Sequence, residues 1–356
     1  MNFARGIQLV VGLDLRQRVK GIAWYVLLGV FVLLVAAVTV LLVFATNAFN
    51  DGGAGLFSTI IMFVLLLGTL VSPALSGNAI NGERDAGTLA TTQVTLLTTT
   101  QLVIGKWLAA WITALAFLAT AVPFLIFAVV LGKIAWATII VSTLVTALEL
   151  GVIAALGVGL SGVLTRPLFS VAVTYLAVAA LSIGTLIAFT LGGLAFSSQG
   201  KMTYISVDQS KLGSDGVKPG EEVPCLPPRV EERTVPRFDR TWWFLAANPY
   251  VVVADSVPAT FDANGWPTEL FSSISTGIRQ AQTPPNLDEV YNECKTFQQG
   301  DPSVSYPTGK DRYDAATPSW FVGLGVHLLL AVGALGWAIA RTRTPAKRLP
   351  KGSRVA

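Results

Sequence analysis

Few side chains in this chain of 356 residues are equipped for chemistry. There is a single histidine, His327, and there are two cysteines, Cys225 and Cys294. Glu149 is the one carboxylate set deep inside an apolar run. Nucleophilic catalysis needs a base beside the nucleophile and a third group to orient it, so His327 would have to act from within an apolar segment. The sequence has no His-Glu-x-x-His, no paired Cys and His set and no Gly-x-Ser-x-Gly elbow. It also lacks a phosphate-cradling Gly-x-x-x-x-Gly-Lys-Ser/Thr loop. The nearest stretch, Ile104-Gly105-Lys106-Trp107, has neither the upstream glycine nor the hydroxyl. The expectation is a chain that is not an enzyme, binds no metal and has no nucleotide site of its own. Glu149 reads in two ways. A charge at a bilayer centre costs about 2.5–3.5 kcal/mol on insertion scales, so it must face protein or water. It is either a polar cavity contact or gating pair, with His327 as candidate partner, or a hydrogen-bonded acid that fixes helix packing.

The elements that must carry these residues are very apolar. Hydrophobic residues make up 53% of the chain and charged ones 13%, where a soluble domain has about 25% charged. Mean hydropathy is +0.61. This composition excludes a disordered chain, a coiled coil and an ordinary cytosolic enzyme. Six runs reach the roughly 20 residues that cross the hydrocarbon: 21–46, 56–74, 107–131, 134–164, 168–196 and 320–340. They do not alternate with period two, and every backbone group must be paired inside lipid, so they are read as helices. Pro73 and Pro123 are expected to bend helices or mark their ends. Gly151, Gly157, Gly159, Gly162, Gly192, Gly193, Gly323, Gly325 and Gly333 are read as sites of close helix approach. Residues 1–20 place Phe3, Ile7, Val10, Val11 and Leu15 at helical spacing among Arg5, Arg16, Arg18 and Lys20, an amphipathic helix for the inner leaflet.

Charge placement orients the chain. With the N-terminus inside, short inner segments hold 13 basic residues and the short outer loops only Lys133. A multi-pass protein of a bacterial inner membrane is expected, with both termini cytoplasmic. The first apolar run is far longer than a signal h-region, so it is read as a retained helix. Residues 197–319 differ in kind, with 11 basic and 16 acidic side chains against 14 and 5 elsewhere. The net charge of +4 is therefore mostly a positive-inside effect and not a nucleic-acid surface. Both cysteines fall in this outer segment. In an oxidising compartment they suggest a disulfide closing a loop of roughly 70 residues, a gain of about 4 kcal/mol in the chain-entropy picture; two free buried thiols are the alternative. Trp242, Trp243 and Tyr250 resemble an interfacial aromatic belt, on either an interfacial or re-entrant helix or a core strand of a small domain.

The inner segment 76–106 carries the most specific pattern: Glu83-Arg84-Asp85, then Gly87-Thr88-Leu89, and later Gly105-Lys106 at the mouth of the third apolar run. This resembles the signature of ABC-2 type permeases, the membrane subunits of one class of ABC exporter (the type V class, with ABCG-like and ABCA-like members). Two positions depart from it: Ala90 stands where an acid is usual, and Thr95-Leu96-Leu97 where Thr-Pro-Leu is common. The resemblance implies an all-α membrane protein: six transmembrane helices, an N-terminal interfacial helix on 1–20, and a mixed extracytoplasmic domain on 197–319 between the fifth and sixth helices. It ends in a basic cytoplasmic tail on 341–356. Glu83, Arg84, Asp85, Gly87, Thr88 and Leu89 would couple to a separate ABC ATPase subunit, two copies of which carry ATP and Mg. A second permease copy or paralogue and membrane lipids would be the other partners, and no nucleic acid. The implied function is export of an amphipathic or hydrophobic substrate such as a lipid, drug or peptide. The rival expectations are a receptor or sensor that binds ligand with its outer domain, and a membrane-embedded lipid-modifying enzyme using Glu149 and His327.

Overall fold

The computed structural model describes residues 2–45, 53–86, 97–211, 223–298 and 307–342. Six helices are long and apolar enough to cross a membrane, consistent with an all-α membrane protein. The first span is Ile22–Ala45, the second Ala54–Ser76, the third Thr99–Gly132, the fourth Trp136–Val163 and the sixth Trp320–Thr342. The fifth is Pro167–Ala179 and Thr185–Ala195 joined by a π-helical turn, Ala180–Gly184. Lys133, left-handed at φ 48°, closes the hairpin between the third and fourth spans. Pro167 opens the fifth, at a position where its missing N–H costs nothing. Pro73 and Pro123 both lie inside helices.

The third span begins at Thr99 and not at 107. Thr98 accepts from the Gln101 backbone N–H, and the Gln101 side chain accepts from the Thr98 N–H at 2.7 Å, a capping box that starts the helix well before its apolar stretch. Lys106 is thereby carried inside the helix and buried.

Leu56, Ile60, Ile61 and Leu65 of the second span and Leu150 of the fourth are almost fully buried. The first and fifth spans expose Leu33, Leu41, Phe44, Leu176, Ile187 and Leu191. Residues are apolar on both sides, so close packing decides which face turns inward, not polarity. Glycine makes that packing possible. A Cβ added at Gly159 would lie 2.8 Å from the Ala334 backbone, and one at Gly162 would lie 3.1 Å from the Ala338 Cα, so the fourth and sixth spans touch nearly backbone to backbone. A Cβ at Gly325 or Gly333 would meet no atom of this chain within 4 Å.

The N-terminal helix, Phe3–Lys20, packs along the start of the third span. Its buried stripe is Gly6, Val10 and Asp14, one residue per turn, while Phe3, Leu9, Leu13 and Val19 stay exposed. Between the fifth and sixth spans the chain forms a small three-stranded sheet: β1 (Ser197–Ile205) lies in the middle, antiparallel to β2 (Arg229–Pro236) and parallel to β3 (Asp288–Asn292). Cys225 and Cys294 are disulfide-bonded across 69 residues, with Cα atoms 6.1 Å apart. The aromatic patch is helical, Trp242–Ala246 and Pro249–Ser256, which removes the strand alternative. The outer segment also caps the sixth span. Asp255 accepts from the Trp320 N–H at 3.1 Å and the Ser319 hydroxyl at 2.9 Å, and its other oxygen takes Arg279 Nε at 2.8 Å. The Arg279 guanidinium lies 3.7 Å above the Tyr313 ring.

Candidate functional site

Two groups of polar residues lie among these helices. The first forms where the short helix Asn81–Asp85, the N-terminal helix and the third span meet. Glycine sets the distance here too: a Cβ on Gly105 would sit 2.7 Å from the Val10 side chain, so the two helices close only without it. Gln101 Nε2 donates to the Phe3 carbonyl at 3.1 Å and aligns them. This closure brings Asp14 Oδ1 to 2.9 Å from Lys106 Nζ. The other Asp14 oxygen takes Arg18 Nε at 3.0 Å, and Arg18 also donates to the Leu75 carbonyl at the end of the second span at 3.1 Å. Lys106 makes a second ion pair, with Glu83. Two carboxylates and two cations thus balance in a half-sheltered cluster. Burial alone would raise the Asp14 carboxyl, but the charges of Arg18 and Lys106 outweigh it and hold Asp14 below its ordinary value.

The short helix is fastened on its other side as well. Ser161 Oγ, at the inner end of the fourth span, accepts from the Ile80 and Asn81 N–H groups at 2.9 and 3.1 Å and donates to Asn81 Oδ1 at 3.0 Å. Asn81 Nδ2 donates to the Leu164 carbonyl at 3.3 Å. The short helix is therefore bonded directly to the third span through Glu83 and to the fourth through Ile80 and Asn81, and it meets the N-terminal helix through Lys106, which also pairs with Asp14. Arg84 is half-buried and Asp85 exposed. Gly87, Thr88 and Leu89 lie outside the described residues. Beside Glu83 and Lys106 is a notch of about 240 Å³, also walled by Val10, Leu13 and Leu97. Asp14, Asn81 and Ser161 were not singled out from the sequence. Asp14 had a signal: it is the only acid in the N-terminal helix, one turn before Arg18.

The second group is central. Both Glu149 oxygens lie within 3.0 Å of His327 Nδ1, and His327 Nε2 is 2.8 Å from the Ala247 carbonyl. A carbonyl only accepts, so Nε2 carries a hydrogen. The remaining proton lies between Nδ1 and the carboxylate, and the pair is neutral as a unit whichever atom holds it. That neutrality removes the cost of placing an acid among apolar helices. Trp107 Nε1 donates to the Gly151 carbonyl at 2.9 Å and Trp111 Nε1 to the Ala147 carbonyl at 2.8 Å, bracketing Glu149 from the third span. Next along the outer segment, Asn248 Nδ2 donates to the Ser182 carbonyl at 2.6 Å and to Thr185 Oγ1 at 2.9 Å. The π turn of the fifth span, Ala180–Gly184, presents that carbonyl, which gives the irregular turn a physical reason. The Tyr250 hydroxyl reaches Thr69 of the second span at 3.2 Å. Residues 247–250 are thereby plugged into the helix bundle at four places. Of the three aromatics, Trp243 is the exposed one, Trp242 is half-buried, and Tyr250 turns inward to the second span and not out to an interface. The aromatic pattern signalled an interface; the tertiary contact of Tyr250 left no trace in it.

No family model and no curated protein matches this chain.

Proposed function

We propose that this chain is the permease subunit of an ABC exporter of the ABC-2 type. In this reading it lies in a bacterial inner membrane with both termini cytoplasmic. It pairs with a second permease copy and works with two separate ATPase subunits that hold ATP and Mg. One observation carries the reading: the Glu83 segment is bonded directly to the third and fourth spans, and through the shared Lys106 it is linked to Asp14 of the N-terminal helix. A push on this segment from an ATPase has rigid connections into three helices, which is what a passive subunit needs to receive work from outside. The placement of basic residues supports the orientation. The plug at residues 247–250 then lies across the outward route, held by Glu149 and His327. The cargo class is an amphipathic or hydrophobic molecule.

The bonding of His327 weighs against the lipid-modifying enzyme. Both ring nitrogens are engaged, so none is left to take a proton from a substrate. For the receptor reading, no observation on the inner side needs explaining, yet the buried ion network there is built as a joint. The test is copurification with the ATPase and ATPase stimulation in proteoliposomes. Glu83→Ala and Arg84→Ala are expected to lower transport about tenfold or more while the ATPase retains its basal rate, the scale of one lost charge-assisted contact. Unchanged coupling in both variants overturns the reading.

A further inference from the structure

The outer segment contains a cavity of about 520 Å³, unconnected with the inner joint. It lies between the outer half of the fifth span, the short turn at Phe238 and the end of the helix Leu270–Gln282. Its volume falls within the roughly 300–1,000 Å³ usual for small-molecule sites. Its floor is aromatic: Phe189 and Phe238 have ring centroids 5.0 Å apart. Gly193 is what admits Phe238, since a Cβ there would lie 3.0 Å from Phe238 Cγ. Three proline rings, Pro236, Pro284 and Pro285, continue the apolar wall.

Asp239 and Arg312 both line the cavity. Asp239 is already neutralised by Arg237, whose Nε and terminal nitrogen hold its two oxygens at 2.7 and 2.6 Å. Among the described residues Arg312 has no ion pair, while its neighbours Lys310 and Asp314 pair with each other. The cavity thus offers an apolar body and one available guanidinium. Depth supplies the third clue. Phe189 stands six residues before Ala195, the end of the fifth span, so the floor lies about 9 Å below that end at 1.5 Å per residue. The lining thus joins a residue within the fifth span, Phe189, to one outside the spans, Arg312.

We propose that this cavity binds a single-chain amphiphile with an anionic head, a fatty acid or lysolipid of the outer leaflet, its chain against Phe189 and Phe238 and its head on Arg312. The inference goes beyond the coupling function and is tested without ATP or an ATPase, so its failure and that of the exporter reading are separate results. Full-length protein in phosphatidylcholine nanodiscs is irradiated with a diazirine-bearing palmitic acid, and adducts are mapped by peptide mass spectrometry. Adducts are expected on the peptides that carry Phe238 and residues 277–285. Gly277 lines the cavity and a Cβ there meets nothing within 4 Å, so Gly277→Trp fills the space and is expected to abolish this labelling. Ala281→Trp, on the same wall, is the second filling variant, and an intact Cys225–Cys294 bond checks the fold of each. Arg312→Gln is expected to cut labelling by the acid about tenfold while leaving labelling by the matching diazirine palmityl alcohol unchanged. Adducts only on the exposed faces of the spans, or an equal loss of acid and alcohol labelling in Arg312→Gln, overturns the proposal.

Discussion

Glu149 shows how a costly residue is made tolerable. Alone among apolar helices it would be expelled or protonated; beside His327 it belongs to a neutral pair whose outer nitrogen is satisfied by the Ala247 carbonyl. The arrangement makes a specific prediction. Removing one member leaves the other buried without its partner, so Glu149→Ala is expected to cost about 3–5 kcal/mol in stability. Replacing both, as in Glu149→Leu with His327→Leu, is expected to recover most of that loss. Thermal unfolding of the purified variants in one detergent measures both. A double variant no more stable than the single one would show that the pair is not the unit described. In transport, Glu149→Gln with normal folding and full activity would confine the residue to packing.

At the scale of elements, two glycines at the N-terminal helix and its contact have opposite surroundings. Gly105 on the third span sits where any Cβ presses on Val10, whereas Gly12 faces open space. Gly105→Leu is therefore expected to lift the N-terminal helix from the third span and break the Asp14–Lys106 pair. Gly12→Ala is expected to be neutral or to stabilise by up to about 1 kcal/mol through helix propensity alone. Hydrogen exchange across residues 3–20 reads both: faster exchange in the first variant and equal or slower exchange in the second. The fifth span makes a related point. Its π turn contains Ser182 and Gly184 but no proline or charge, and Asn248 docks on the Ser182 carbonyl it presents.

At the scale of the molecule, the outer segment and the helix bundle are held together by separate means. Asp255 binds the start of the sixth span, and residues 247–250 enter the bundle, whereas the sheet is secured by the Cys225–Cys294 bond. Cys225→Ser with Cys294→Ser is therefore expected to loosen the sheet, by about 4 kcal/mol in the chain-entropy picture, and to leave the helices in place. Circular dichroism should keep the helical signal while proteolysis within residues 197–236 speeds up. Loss of the helical signal in the same range would mean that the two parts unfold as one.

Period and composition alone determined the number of apolar helices and the separate polar segment between the fifth and sixth, because burial in lipid demands long uninterrupted runs; they suggested the disulfide and left free thiols open, and the structure pairs the two cysteines. The same reasoning pointed to Glu149 and His327, since a polar group in an apolar run is conspicuous, whereas Glu83 was reached through the resemblance of its segment to a family signature. It placed the third span's start too late because it followed hydrophobicity and passed over the polar capping box at Thr98. Glycine spacing did not tell which face of a helix has a neighbour within the chain: Gly159 and Gly162 do, Gly325 and Gly333 do not. Only the tertiary structure decided that Glu149 meets His327, that Lys106 is buried between Asp14 and Glu83, and that Asn248 reaches Ser182. Those contacts join residues that are 23 to 178 positions apart in the chain. Their geometry depends on how closely helices approach, and that is set by the summed packing of many small side chains, not by any local pattern.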